Sequence, residues 1–215
     1  MNTLGHGFGA LQALHLATVL DNQDPDNRGR IKVRLAVGDM ELWAAVLTNS
    51  AGQDYGVSLL PKIDEKVVLA FISPEVAVVM GALWSGGDSH PQEAREVEDV
   101  YCIRTPSGSQ LKFDDSEDSK IDIKTSSGYH LEITEAEGGK VLIEKGSESI
   151  EFSNAEIKIN ASSKVSIEAA QVKVSAGMVE VEAGMSKFSG VVKCDTLISN
   201  AVVSSSYTPG AGNIW

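Results

Sequence analysis

The sequence predicts an all-β protein: an N-terminal barrel followed by a C-terminal intertwined trimeric β-helix, a β-prism needle. Three observations carry this expectation. The first 90 residues hold short alternating apolar segments separated by dense turn signals. After residue 110 a pair of apolar residues at i and i+2 recurs nine times at near-constant spacing. No segment shows a helical apolar stripe of comparable quality.

The barrel strands come first. Leu14–Leu20 is the opening strand, closed by the turn-rich run Asp21-Asn22-Gln23-Asp24-Pro25-Asp26-Asn27. Over Arg30–Val37, Ile31, Val33 and Leu35 alternate with Lys32 and Arg34, the period of a half-buried strand. Gly38-Asp39 turns the chain into Met40–Thr48, which contains Trp43; Val57–Leu60, Lys66–Phe71 and Val76–Leu83 follow. Five or six short strands of this kind suit a closed OB-like barrel. The polar stretch Ser85–Pro91 then separates the two halves.

In the second half the apolar pairs are Leu111/Phe113, Ile121/Ile123, Leu131/Ile133, Val141/Ile143, Ile150/Phe152, Ile157/Ile159, Val165/Ile167, Val172/Val174 and Val179/Val181. Their first members are spaced 10, 10, 10, 9, 7, 8, 7 and 7 residues apart. Each unit is one short strand and one corner, and a single strand cannot bury its own pair. Seven or eight residues are too few for one coil of a single-chain solenoid, which takes about twenty. One period covers about one face of a triangular prism, so three chains winding together is the favoured solution; an antiparallel meander in a monomer is the competing one. A dozen strands at about 4.8 Å each would give a needle on the order of 55 Å long. Intertwining would also pair the strand edges that otherwise invite aggregation.

Composition narrows the function. The 215-residue chain carries 18 basic and 30 acidic residues, a net charge of −12, which argues against a phosphate-backbone partner. Arg28, Arg30, Lys32 and Arg34 form a local basic group, but Asp24, Asp26 and Asp39 surround it. No run of about 18 apolar residues spans a membrane, and the N-terminus lacks the basic region of a signal peptide. Cys102 and Cys194 are expected to be reduced thiols, some ten strands apart and beyond disulfide reach. His6, His15, His90 and His130 are too scattered for a metal site. Asp114-Asp115-Ser116-Glu117-Asp118 lacks the glycine and terminal glutamate of a calcium loop and reads as a solvated corner. No Gly-x-Ser-x-Gly elbow occurs. Catalytic residues, metal ligands and cofactors are therefore all expected to be none.

Asp24-Pro25-Asp26-Asn27-Arg28-Gly29-Arg30-Ile31-Lys32-Val33, Trp43-Ala44, Ala51-Gly52-Gln53-Asp54-Tyr55-Gly56, Pro61 and Val79-Met80-Gly81-Ala82-Leu83-Trp84 resemble, in order and spacing, the OB-fold of phage baseplate assembly protein V and VgrG-type central spike proteins. The resemblance covers about residues 1–90; the β-prism half is similar in pattern only. It implies a homotrimeric spike of a contractile injection system, such as a phage tail, tailocin or type VI secretion-like machine. Its OB collar would dock on a trimeric hub protein of the baseplate. Its needle would carry a PAAR-type tip protein and pierce the target cell envelope when the sheath contracts. On that reading residues 1–13 face the hub, 14–90 form the OB-fold domain, 91–105 a linker and neck, 106–205 the triple-stranded β-helix spike, and 206–215 the tip segment. Only about fifteen residues join barrel to prism, so the lysozyme domain of some relatives is not expected; thirteen residues precede the barrel, so the hub is expected to be a separate chain. Histidine spacing does not match the iron-binding apex of short phage spikes. The particle would assemble in the cytoplasm.

The candidate trimer core is Leu111, Phe113, Ile121, Ile123, Leu131, Ile133, Ile150, Phe152, Ile157, Ile159, Val165, Ile167, Val172, Val174, Val179 and Val181. Tyr207, Pro209, Ile214 and Trp215 are the candidate tip-protein contacts. A monomeric β-solenoid that binds or cleaves glycans, and an acidic OB-type binding module on a β stalk, are the competing functional readings.

Overall fold

The computed structural model describes residues 14–205. It contains fourteen strands and two short 3-10 turns. Compact-unit boundaries fall after Val165. The first unit holds a closed barrel and a separate seven-stranded sheet.

The barrel runs β1-β2-β3-β7-β6, with β1 His15–Asp21, β2 Arg30–Leu35, β3 Glu41–Val46, β6 Lys66–Ser73 and β7 Val76–Leu83. Period-two alternation turns Ala17, Val19, Ile31, Val33, Leu35, Ala44, Val67, Leu69, Ala77 and Val79 inward, and these residues form the core. A parallel pairing of β3 with β7, Ala45 opposite Val78, closes the barrel. Closure leaves no edge strand to seek a partner.

The excursion between β3 and β6 departs from expectation. Val57–Leu60 is not a strand; the pairing falls earlier, between β4 (Ala51–Gly52) and β5 (Tyr55–Gly56). Gly56 fixes this small hairpin: it has φ +146°, and a Cβ there would stand 2.3 Å from the Ser50 carbonyl oxygen. Thr48 Oγ1 donates to the Val57 carbonyl at 2.7 Å, which holds the returning strand end without a ladder. Leu60 then packs on the barrel core, while Val57 and Leu59 remain exposed.

The seven-stranded sheet consists of β8 Val100–Arg104, β9 Gln110–Asp114, β10 Lys120–Lys124, β11 His130–Thr134, β12 Lys140–Lys145, β13 Glu148–Ser153 and β14 Ile157–Asn160. It is an antiparallel meander: each strand pairs with its sequence neighbours. The sheet begins at Val100, inside the stretch read as linker and neck. Between residues 100 and 160 the strands pair within their own chain, where intertwined strands had been expected from residue 106 onward.

The corners explain this pairing. Thr105–Ser109 and Thr125–Tyr129 are equivalent reversing turns. In each, the threonine N–H donates to the residue four on and the glycine N–H donates back to the threonine carbonyl, at 2.8–3.0 Å. Gly108 and Gly128 sit at φ +92° and +88°, which lets the chain reverse directly into a hairpin.

Beyond Asn160, residues 161–205 form no strand. Within the second compact unit, Ile167, Val172, Val174, Val179, Val181, Phe188, Val192 and Leu197 are all exposed.

Candidate functional site

The site is a face of the seven-stranded sheet. Strand register aligns the apolar doublets into two continuous columns. One runs Tyr101, Phe113, Ile121, Ile133, Val141, Phe152, Ile157. The other runs Ile103, Leu111, Ile123, Leu131, Ile143, Ile150, Ile159. All fourteen share one face, since side chains two residues apart on a strand point the same way. Seven strands about 4.8 Å apart make the columns roughly 29 Å long.

Among the described residues this face is left partly open. Phe113, Ile123, Ile143 and Phe152 are each 43 % exposed, and Ile157 is 68 % exposed. Soluble monomers rarely present a contiguous apolar patch larger than a few hundred Å². Completing the burial of a half-exposed Ile or Phe is worth on the order of 1 kcal/mol, and here the gain is repeated over two full columns.

The opposite face needs no cover, because charges pair across it. Its middle row runs Cys102, Lys112, Asp122, Glu132, Leu142, Glu151, Lys158. Asp122 lies at the centre, 1 % exposed. Its carboxylate meets His130 Nε2 at 2.6 Å and the ammonium groups of Lys124, Lys120 and Lys112 at 3.2, 3.8 and 4.0 Å. His130 Nδ1 meets Glu144 Oε1 at 2.9 Å, so one imidazole ties β10, β11 and β12 together. Lys120 and Lys140 reach Glu132 at 3.7 and 3.5 Å. Burial pushes the Asp122 carboxyl up, but the His130 and Lys124 hydrogen bonds outweigh it and its pKa is lowered. At the next row Lys112 and then Ser116 hold Asp114 down to about 2.

Ligand atoms of Asp122, His130 and Glu132 lie within 4.8 Å of one another. The three lysines beside Asp122 already supply positive charge there, so the electrostatics oppose a cation. Asp115, Glu117 and Asp118 lie in an exposed corner, as their sequence suggested.

Three of the four cations of the barrel's basic group are paired internally. Arg30 makes ion pairs of 2.8 and 2.7 Å with Asp24 and Asp26. Lys32 and Arg34 both pair with Glu41, at 2.8 and 2.7 Å. Asp24 also accepts from the backbone N–H groups of Asp26, Arg28 and Arg30, so it organises the whole turn. The Arg30 side-chain hydrogen bond holds its pKa well below the usual carboxylate range. Trp43 lies beneath the Arg30 guanidinium at 5.8 Å. A row of cations paired in this way lacks the free charge that a nucleic-acid strand requires.

The family model for the Type VI secretion system/phage-baseplate injector OB domain matches residues 15–84. Residues 15–84 belong to this family. No curated protein matches the chain. The injector OB domain begins with β1 and ends one residue after β7, so all five barrel strands lie within the match. Its last residue, Trp84, is 68 % exposed and contacts His90 edge-on at 5.6 Å, so it is not a barrel-core residue.

The candidate core residues divide at Asn160. Leu111, Phe113, Ile121, Ile123, Leu131, Ile133, Ile150, Phe152, Ile157 and Ile159 are brought together in the two columns. Val165, Ile167, Val172, Val174, Val179 and Val181 join no strand of their own chain. Sequence reasoning missed Tyr101 and Ile103: Val100-Tyr101-Cys102-Ile103 is a continuous apolar run, so the polar residue that sets off doublets such as Leu111/Phe113 and Ile121/Ile123 is lacking. The 10-residue offset from Tyr101 and Ile103 to Leu111 and Phe113 was the available signal. Tyr207, Pro209, Ile214 and Trp215 lie outside the described residues, as does segment 1–13, for which hub contact was expected.

Proposed function

We propose that this chain is the homotrimeric central spike of a contractile injection machine, a mechanical element with no catalytic role and no cofactor. One observation carries the reading: an injector OB domain is followed by a sheet whose polar face is internally paired and whose apolar face is open. Three copies would turn these faces toward a common axis, giving a triangular prism with a dry interior. The exposed doublets after Asn160 would continue that interior as an intertwined needle. Collar docking would fall to the barrel, on a separate hub protein, and residues 206–215 would seat a PAAR-type tip. The work is penetration of the target cell envelope. It calls for stiffness along the axis, which continuous hydrogen-bond ladders and close packing supply.

Quantitative mass spectrometry of purified contractile particles tests the reading. Three copies per particle are expected, retained when sheath and tube are stripped to the baseplate. Particles that lack the chain, or that carry it in sheath-like numbers, would contradict a central-spike role. A monomeric glycan enzyme is less well supported, because its substrate surface would have to be the charge-paired face or an apolar one.

A further inference from the structure

Residues 57–60 carry a strand's alternation but have no strand beside them. Val57 and Leu59 are exposed, while Leu60 packs on the barrel core. The segment is fixed at both ends. At one, the Val57 N–H donates to the Ser50 carbonyl at 3.0 Å, and the Val57 carbonyl accepts from Thr48 Oγ1 at 2.7 Å. At the other, the carbonyl of the buried Pro61 accepts from Asn22 Nδ2 at 3.2 Å. Between these anchors the N–H and C=O groups of Ser58, Leu59 and Leu60 make no hydrogen bond among the described residues. A row of unpaired backbone groups held in place is a template for a further strand. Beside it lies a groove of about 560 Å³, to which the exposed side chains of Leu47, Tyr55, Val57 and Leu59 contribute. Arg28 lines the same groove. Arg30, Lys32 and Arg34 have acidic partners within the barrel, but Arg28 has no ion pair among the described residues.

From these facts, and resting on the spike reading above, we infer that residues 57–60 are completed by an extended segment of the hub protein, added as a strand with apolar side chains in the groove and a carboxylate on Arg28. Main-chain hydrogen bonds to residues 58–60 supply affinity, and the groove selects the alternate side chains of the incoming segment. Covering Val57 and Leu59 removes water from the new ladder and strengthens its bonds. The Arg28 guanidinium can hold a carboxylate through two parallel hydrogen bonds, which fixes the register of the added strand. One free cation matches one carboxylate and not a polyanion. The five barrel strands are paired on both sides, so an incoming strand finds no edge among them. A second copy of this chain is a poorer match. Its strands with a free edge, β4, β5, β8 and β14, contain no acidic residue to meet Arg28.

Hydrogen–deuterium exchange of the full-length protein, free and in assembled baseplates, tests the inference. The amides of residues 58–60 should take up deuterium rapidly in the free protein and lose that uptake in the baseplate, while the amides of β2 stay equally protected in both. Ser58→Pro removes one donor from an exposed position that has no ladder, and Arg28→Glu reverses the free charge. Both variants should keep the melting temperature of the parent protein and lose most of their incorporation into baseplates, whereas Arg28→Lys should retain more of it. Replacing Leu59 by the photo-cross-linker p-benzoylphenylalanine identifies the occupant, and its adduct should be with the hub protein. Baseplates that hold the chain while residues 58–60 still exchange freely, full incorporation of Ser58→Pro, or Leu59 adducts that join two copies of this chain would each overturn the inference and leave the spike standing. Contractile particles that lack the chain altogether would overturn both.

Discussion

Asp24 in the barrel and Asp122 in the sheet show how a single carboxylate can organise its own surroundings. Asp24 caps three backbone N–H groups and anchors Arg30, so the long turn between β1 and β2 hangs on one side chain. Its folded pKa is depressed, so its stabilisation is present above the unfolded value near 3.9 and is lost as the pH falls through the folded one. Thermal melts between pH 2 and 6 should show the barrel weakening below about pH 4, and Asp24→Asn should lower stability at pH 6 while flattening that dependence. An unchanged acid slope in the variant would assign it to other groups. Asp122 neutralises a crowd of lysines from a buried position. Asp122→Ala leaves those cations facing one another and should cost about 1–3 kcal/mol in chemical denaturation followed through the sheet. A cost near zero would mean that the polar face contributes little to its cohesion.

At the scale of elements, the sequence alternation located the barrel strands well because each buries one face against a common core. The pattern Ile31, Val33, Leu35 is unambiguous for that reason. It failed at Val57–Leu60, where the apolar residues alternate but only Leu60 reaches the core, and pairing is governed by Gly52 and Gly56 instead. In the second half the doublets were legible while their pairing was not. Period two states which residues share a face; it does not state whether the neighbouring strand belongs to the same chain. That information sits in the corners. A glycine at positive φ, as at Gly108, reverses the chain into a hairpin, whereas Gly177 is not at positive φ and marks no such reversal. The doublets predict a sidedness that can be measured. Ile157→Asp or Ile167→Asp should abolish soluble trimer, because a charge would be repeated three times in a shared interior. Lys158→Asp, on the outer face, should leave assembly intact. Normal trimers of the isoleucine variants would invert the assignment of faces.

For the whole molecule, the proposed trimer joins the injector OB domain to the open apolar face in one arrangement, in which each copy would cover the faces of the others. The family was legible in the first half because a turn motif, a tryptophan and a closing strand fall in the order that the resemblance requires. The second half offers no such motif, and its meaning emerges from exposure: side chains patterned as a core stand in water when only one chain is present. An interlocked trimer should also migrate as an oligomer in SDS without heating, since its dissociation requires many ladder bonds to open together; ready separation under mild detergent would argue for loosely associated sheets. The most direct measurement is the mass of the full-length protein in solution. Sedimentation equilibrium should return three times the 22.8 kDa chain at all accessible concentrations, and a stable, concentration-independent monomer would contradict the shared interior on which the account is built.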